Sequence, residues 1–212
     1  MKKCVIFCAG EFDTLAQPLT GEDIILAADG GLFHTKALGI APTWILGDFD
    51  SLGYVPEGAE VFPVEKDDSD SMLAARRGLE MGCKEFVFYG CLEGKRLDHT
   101  VANFQTLQYL ADRGASGWLV GKDYLVTVVK NGTLRFSETA RGVISLFCMG
   151  ADATGVTLTG LHYPLTDGVL TAGHPLGLSN EFTGQEATVS VKNGSLLVIF
   201  DRENGFPTRE GE

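Results

Sequence analysis

The 212-residue chain has no Cys-x-x-Cys pair, no apolar run long enough to cross a bilayer, no repeat of solenoid length and no low-complexity tract. Each absence removes a class of protein. The five cysteines, Cys4, Cys8, Cys83, Cys91 and Cys148, are odd in number and lack ligand spacing, so neither a zinc site nor a disulfide framework is indicated. Cys4 and Cys8 fall at even spacing in an apolar run and read as small buried hydrophobes on one strand face. Met1-Lys2-Lys3 leads into an apolar run too short for a signal-peptide core or a spanning helix, and a cytoplasmic location is expected. Basic side chains are the scarcer sign: 17 against 28 acidic ones, a formal charge of −11. That balance argues against a broad nucleic-acid footprint or an anionic membrane as partner. A phosphate-bearing substrate would need local help from a metal ion, a few Lys or Arg groups, or backbone N–H groups. What is present is ordinary for a globular protein, with 44% hydrophobic and 21% charged residues and length for one large domain or two smaller ones.

Two textures divide the chain. Up to about residue 122, short β-branched or aromatic runs alternate with segments of helical period, which predicts βαβ units and a mostly parallel sheet. Strands are expected at Cys4–Cys8, Ile24–Ala28, Trp44–Leu46, Glu60–Phe62, Glu85–Tyr89 and Trp118–Val120. Helices are expected at Leu32–Leu38, Asp70–Met81 and Thr100–Arg113, each closing on a glycine as a left-handed C-terminal cap prefers. In the last helix Val101, Phe104, Leu107 and Ala111 form the expected apolar face. From residue 123 to 212 the runs are short and alternating, which predicts an all-β sandwich-like domain. Its strands are expected at Leu125–Val129, Leu134–Phe136, Val143–Cys148, Val156–Leu158, Ala187–Val191 and Leu196–Phe200. Asn131-Gly132 and Asn193-Gly194 are hairpin-turn signals, and the polar tail from Asn204 is expected to fray.

The acidic residues carry the chemistry. Asp29-Gly30-Gly31 follows a strand and opens a helix, where α/β sheets bind ligands; it reads either as a phosphate site or as a tight turn with a capping Asp. In Gly47-Asp48-Phe49-Asp50-Ser51, an extended backbone would put both carboxylates on one side, within reach of one Mg²⁺; a solvated acidic turn is the other reading. Lys66-Asp67-Asp68-Ser69-Asp70 places Ser69 to cap a helix. Capping does not account for three carboxylates beside a Lys, which repel unless a cation or solvent screens them. Gly90 to Arg96 is one residue short of a P-loop and lacks its Ser or Thr, which excludes a Walker A motif. Arg96 suits a phosphate clamp. His99 reads as a site group or as a structural histidine at a helix start. Gly177-Leu178-Ser179-Asn180-Glu181 is, as composition, a polar loop.

Taken in chain order, Ala28-Asp29-Gly30-Gly31, Gly39-Ile40-Ala41-Pro42, Gly47-Asp48-Phe49-Asp50-Ser51, Lys66-Asp67-Asp68-Ser69-Asp70, Arg96-Leu97-Asp98-His99-Thr100 and Gly177-Leu178-Ser179-Asn180-Glu181 resemble bacterial thiamine pyrophosphokinases. The resemblance spans nearly the whole chain. It implies transfer of a diphosphate group from ATP to the hydroxyl of thiamine, giving thiamine diphosphate and AMP. It also implies a homodimer, with ATP on the α/β domain and thiamine in a cleft completed by the partner's β domain. Carried onto this sequence, the resemblance makes Asp48, Asp50 and Asp70 the Mg²⁺ and diphosphate carboxylates, with Arg96 and Asp98 beside them in catalysis. Asp29, Gly30, Gly31, Lys66, Ser69 and His99 would line the nucleotide, and Ser179 and Asn180 would hydrogen-bond the aminopyrimidine. Two departures from the family pattern are Met72 where a Glu is common, and a longer Cys91–Lys95 loop carrying Lys95 in place of a glycine.

The implied chemistry is in-line attack of the thiamine alcohol on the β-phosphorus, with Asp98 or Asp70 accepting the proton. Diphosphate transfer to a pterin alcohol and a non-catalytic nucleotide sensor are the competing readings.

Overall fold

The computed structural model describes residues 2–50, 52–94 and 96–210. Ser51 of the acidic turn and Lys95 of the longer loop lie outside the described residues. The chain forms two compact units, Met1–Lys122 and Asp123–Glu212.

The first unit begins with β1 (Lys3–Phe7), β2 (Ile24–Ala28), α1 (Gly31–Ala37), β3 (Trp44–Gly47) and β4 (Glu60–Val61). It continues with α2 (Asp70–Glu80), β5 (Glu85–Tyr89), α3 (Leu97–Ala111) and β6 (Ser116–Val120). The strands run in the order β6-β5-β1-β2-β3-β4, every pair parallel. The chain therefore works outward from β1 to β4, then returns to the other side of β1. That reversal creates a switch point between β1 and β5, and the loops at the carboxyl ends of the strands are where such sheets bind ligands. Val5, Ile6, Phe7, Phe86, Val87 and Phe88 are buried, as continuous apolar runs in a sheet covered on both faces must be. Cys4, Cys8, Cys83 and Cys91 are buried free thiols, and Cys148 is partly buried.

The expected glycine caps stand: Gly39, Gly82 and Gly114 all have positive φ. Helix α3 departs from expectation in two respects. It starts three residues early, at Leu97 behind an extended Arg96, which brings Asp98 and His99 into its first turn. Its buried face is Asn103, Thr106, Leu107 and Leu110, while Val101 is exposed. Two polar residues therefore occupy the stripe that apolar spacing alone would have filled. Among the described residues no helix is long and apolar enough to cross a membrane.

The second unit contains β7 (Tyr124–Lys130), β8 (Thr133–Phe136), β9 (Val143–Cys148), β10 (Ala153–Thr159) and β11 (Leu165–Leu170). Then come β12 (Gly177–Glu181), β13 (Ala187–Ser190), β14 (Ser195–Asp201) and, after a 3₁₀ turn at Arg202–Asn204, β15 (Thr208–Glu210). Two antiparallel arrays result, β12-β9-β14-β7 and β11-β10-β13-β8-β15. Between them Phe136 of β8 meets Phe200 of β14 edge-on, ring centres 5.0 Å apart.

Three expectations are corrected in this unit. Asn131-Gly132 and Asn193-Gly194 do not close hairpins: each carries the chain from one array to the other, and the two turns bond together through Asn131 Oδ1 and the Gly194 N–H, 2.9 Å apart. As far as Glu210 the tail is held in place, because β15 pairs with β8 and Arg209 reaches the carbonyl of Val128 at 3.1 Å; residues 211–212 lie outside the described residues. The segment Gly177–Glu181 is a strand, paired with β9 across a register shift, and not a loop.

Candidate active site

The acidic segments converge at the carboxyl ends of β2 and β3. Asp29, Asp48 and Asp50 each offer a carboxylate oxygen, and these oxygens lie within 4.8 Å of one another. Backbone geometry produces the cluster. Asp29, directly after β2, has φ 47°, and its N–H donates to the carbonyl of Leu46 at 2.8 Å. Gly47 has φ 150°, and a side chain there would crowd the backbone of Asp29 at 3.1 Å, so glycine lets the two strand ends approach. Asp48 and Asp50 do not share a side by extended spacing, as expected. The backbone turns at Phe49, φ 60°, whose ring is buried, and the Asp50 N–H donates to Asp48 Oδ1 at 3.3 Å. A non-glycine residue in that conformation stores about 1 kcal/mol of strain, which burial of the ring can hold in place.

Of the two readings of Asp29-Gly30-Gly31, the capping turn is not what forms. Gly30 is the N-cap of α1, with no side-chain cap bond, and the Asp29 carboxylate joins Asp48 and Asp50. Gly31 has a packing reason to be glycine, since a β-carbon there would collide with the carbonyl oxygen of Phe7 on β1.

Lys66 links this cluster to α2. Its ammonium lies 2.6 Å from Asp48 Oδ2 and 3.1 Å from Asp70 Oδ1. The hydrogen bond from Lys66 holds the Asp48 carboxyl below its usual range. Burial alone would lower the Lys66 pKa, but its bonds to Asp48 and Asp70 outweigh that and raise it. Asp70 is pushed up, first by burial and further by Asp48 and Asp29, against the opposing pull of Lys66. The crowding expected of the Lys66–Asp70 segment is relieved by dispersal: Asp68 turns away to Arg76, 3.1 Å distant. Ser69 caps α2 as expected, its Oγ accepting from the Met72 N–H at 3.3 Å.

Arg96 and Asp98 pair with each other instead of reaching inward. The guanidinium donates to both carboxylate oxygens, with contacts from 2.5 to 3.2 Å, and both side chains are exposed. The Arg96 hydrogen bond holds Asp98 at about 2. His99 is exposed in the first turn of α3.

In the second unit, Ser179 and Asn180 occupy a β-bulge, where Gly177 to Asn180 opposes Leu146 to Ile144. Ser179 takes φ 56°, its N–H donates to Ser145 Oγ at 3.1 Å, and its side chain is exposed. Asn180 is 3% exposed. Its Oδ1 accepts from the Tyr163 and Glu181 N–H groups, both at 2.9 Å, and its Nδ2 donates to the Tyr163 carbonyl at 2.8 Å. The carboxamide thus works as a clamp on the backbone of Tyr163, whose ring stands exposed.

Sequence reasoning assigned no role to Ser71, Asn103, Ser145 or Tyr163. Only Asn103 carried a usable signal: a polar residue two turns after Arg96 on what proves to be the buried face of α3.

Comparison with known proteins agrees with both units. Residues 15–119 match the family model for the thiamin pyrophosphokinase catalytic domain, and residues 133–196 that for its vitamin B1 binding domain. A thiamine pyrophosphokinase of Bacillus subtilis (strain 168) is 28% identical over 210 residues, covering 93% of this chain and 98% of that protein. The crystal structure of thiamine pyrophosphokinase from Bacillus subtilis superposes with a TM-score of 0.82 at 25% identity, over 95% of this chain and 99% of the other. A thiamin pyrophosphokinase from Geobacillus thermodenitrificans shares the fold, with a TM-score of 0.75 at 24% identity over 100% of this chain and 98% of the other.

Proposed function

The chain belongs to the thiamine pyrophosphokinase family and is an ATP-dependent diphosphotransferase acting on thiamine, and from that premise we propose how its residues divide the work. The observation that carries the proposal is the convergence of Asp29, Asp48 and Asp50 where β2 and β3 end. Hard carboxylate oxygens at that spacing fit a Mg²⁺ ion, which takes one or two carboxylates and completes its shell with water and phosphate oxygens. When bound there, Mg²⁺ neutralises charge on the diphosphate being transferred. The ligand set differs from the sequence expectation by one member: Asp29 stands with Asp48 and Asp50, while Asp70 pairs with Lys66.

The remaining residues position and neutralise. Lys66, charged and half-buried between Asp48 and Asp70, offers a fixed cation beside the phosphates. Gly30 and Gly31 shape the turn that presents Asp29, and Ser69 holds the start of α2 beneath Asp70. Arg96 releases Asp98 to clamp phosphate, its planar donors suited to oxyanions, and His99 lines the nucleotide beside it. The thiamine alcohol attacks the β-phosphorus in line, AMP leaves, and Asp70 accepts the alcohol proton late in the step. Asp70 suits that task better than Asp98 because it is half-buried beside Lys66, whereas Asp98 is exposed and committed to Arg96.

In the second unit Ser179 presents its hydroxyl to the aminopyrimidine. Asn180 contributes by clamping Tyr163, which offers an aromatic face to the substrate ring. We further propose a cytoplasmic homodimer in which the β unit of one subunit completes the thiamine cleft of the other. Supporting this, Val143, Tyr163, Val169, Leu176 and Leu178 of the second unit are exposed apolar or aromatic side chains that a partner would cover.

The test is AMP release from ATP and Mg²⁺ with either thiamine or a hydroxymethylpterin as acceptor. AMP with thiamine alone is expected. AMP with the pterin, or nucleotide binding without AMP, would contradict the reading.

A further inference from the structure

Asp70 stands between two serines whose hydroxyls lead into the interior of the first unit. Ser69 Oγ lies 3.0 Å from Ser71 Oγ, and Ser71 Oγ lies 2.6 Å from Asn103 Oδ1. The Nδ2 of Asn103 lies 2.8 Å from the carbonyl oxygen of Cys91. Ser71 and Asn103 are each 7% exposed. Because a carbonyl can only accept, Cys91 fixes which way the Asn103 amide faces, and Oδ1 must then point at Ser71. An amide oxygen also only accepts, so Ser71 gives its proton to Asn103 and takes the proton of Ser69. The Ser69 oxygen is left as an acceptor, which is what the Met72 N–H at 3.3 Å requires. Every proton in the chain has one direction, and the direction is set at the Cys91 end.

We infer that Asn103 and Ser71 are positioning residues for Asp70: the directed relay locks the first turn of α2 to α3 and to the loop after β5, and so holds the Asp70 carboxylate beside Lys66. The inference rests on the reading of Asp70 as a working carboxylate. It also assigns Ser69 a different part from phosphate donor, since its proton is committed to Ser71. A buried polar group left without its partner is costly, so a relay of this kind is either complete or disruptive. A misplacement of about 1 Å near reacting groups can cost about a hundredfold in rate.

The test compares Ser71→Ala and Asn103→Asp in two backgrounds, the natural chain and Asp70→Asn. Asn103→Asp keeps the acceptor for Ser71 but sets an oxygen against the Cys91 carbonyl. In the natural background each substitution is expected to lower kcat about tenfold to a hundredfold, with KM for thiamine unchanged. In the Asp70→Asn background neither should lower it further, because a relay acting through Asp70 has nothing left to position. Amide exchange in the protein without substrates provides a second readout: the Leu73 N–H, bonded to the Ser69 carbonyl at 2.9 Å, should exchange faster in Ser71→Ala. Equal losses in both backgrounds, or unchanged kcat and exchange in both variants, would overturn the inference. If Asp70→Asn alone retains full activity, it is the assignment of Asp70 that fails.

Discussion

The two units use their polar residues in opposite ways. In the first, strand ends gather Asp29, Asp48 and Asp50, and Lys66 ties Asp48 to Asp70 at a helix start, in a concentration of negative charge that packing alone does not need. In the second, Asn180 spends its carboxamide on the backbone of Tyr163 and Glu181, and Ser179 projects from a bulge tied to Ser145. The first site is made of side chains held by backbone, and the second of backbone held by a side chain. The same motif-level resemblance pointed to both, but in the first the matched carboxylates face one another, whereas in the second Ser179 leaves its hydroxyl exposed and Asn180 commits its carboxamide to the backbone.

Substitutions put that contrast to the test. The largest effect is expected for Asp50→Asn, which removes a carboxylate from the cluster without touching buried packing. AMP release should fall at least about a hundredfold, as when a group stabilising transition-state charge is lost, while the thermal midpoint stays near that of the natural protein. Next is Asn180→Ala. Three buried hydrogen bonds worth about 1 kcal/mol each would be lost, with unpaired Tyr163 groups adding to the cost, so destabilisation of about 3 kcal/mol is expected. For a chain of this size that is a fall in midpoint of about 6–12 °C. A normal midpoint with only a raised KM for thiamine would mean that Asn180 binds substrate directly.

Smaller again is Ser179→Gly. Glycine accepts the φ of 56° freely, so stability should change by no more than about 1 kcal/mol, while KM for thiamine rises through loss of the hydroxyl. The smallest effect on stability is expected for Asp98→Asn. Because the folded-state pKa of Asp98 is depressed to about 2, any stabilisation from its pair with Arg96 is fully present above the free carboxyl's value of about 3.9. It is lost only as pH falls through the folded value. Since the pair is exposed and solvent-screened, unfolding midpoints of the variant and the natural protein should run parallel from about pH 5 upward; a divergence there would show that the pair is embedded in a larger network.

Legibility followed the same division. Asp48, Asp50, Lys66 and Asp70 were readable because charges clustered after apolar runs have few structural reasons to be there, and all lie in the first unit as expected. What the spacing misjudged was geometry. Phe49 turns where an extended strand was expected, so Asp29 and not Asp70 completes the closest trio. Arg96 starts α3 early and pairs with Asp98, a local bond between residues two apart that no pattern announces. In the second unit alternation located Val143–Cys148 correctly yet missed Leu165–Leu170 and Gly177–Glu181. Those strands carry glycine, polar residues and a bulge, and they form through pairing with β10 and β9 instead of through their own composition. The two Asn-Gly turns were recognised as turns, but sequence could not tell that their flanking strands belong to different arrays. Asn103 and Ser71 were illegible as partners because their contact spans 32 residues and joins two helices.

The central claim is that the Asp29–Asp48–Asp50 cluster is the metal-dependent seat of diphosphate transfer. The most direct test is the Mg²⁺ dependence of AMP release from ATP and thiamine, measured for the natural protein and for Asp29→Asn. Asp29→Asn is expected to need at least about tenfold more Mg²⁺ for half its maximal rate, as when one ligand or its orientation is lost. An unchanged Mg²⁺ requirement at full rate would contradict it.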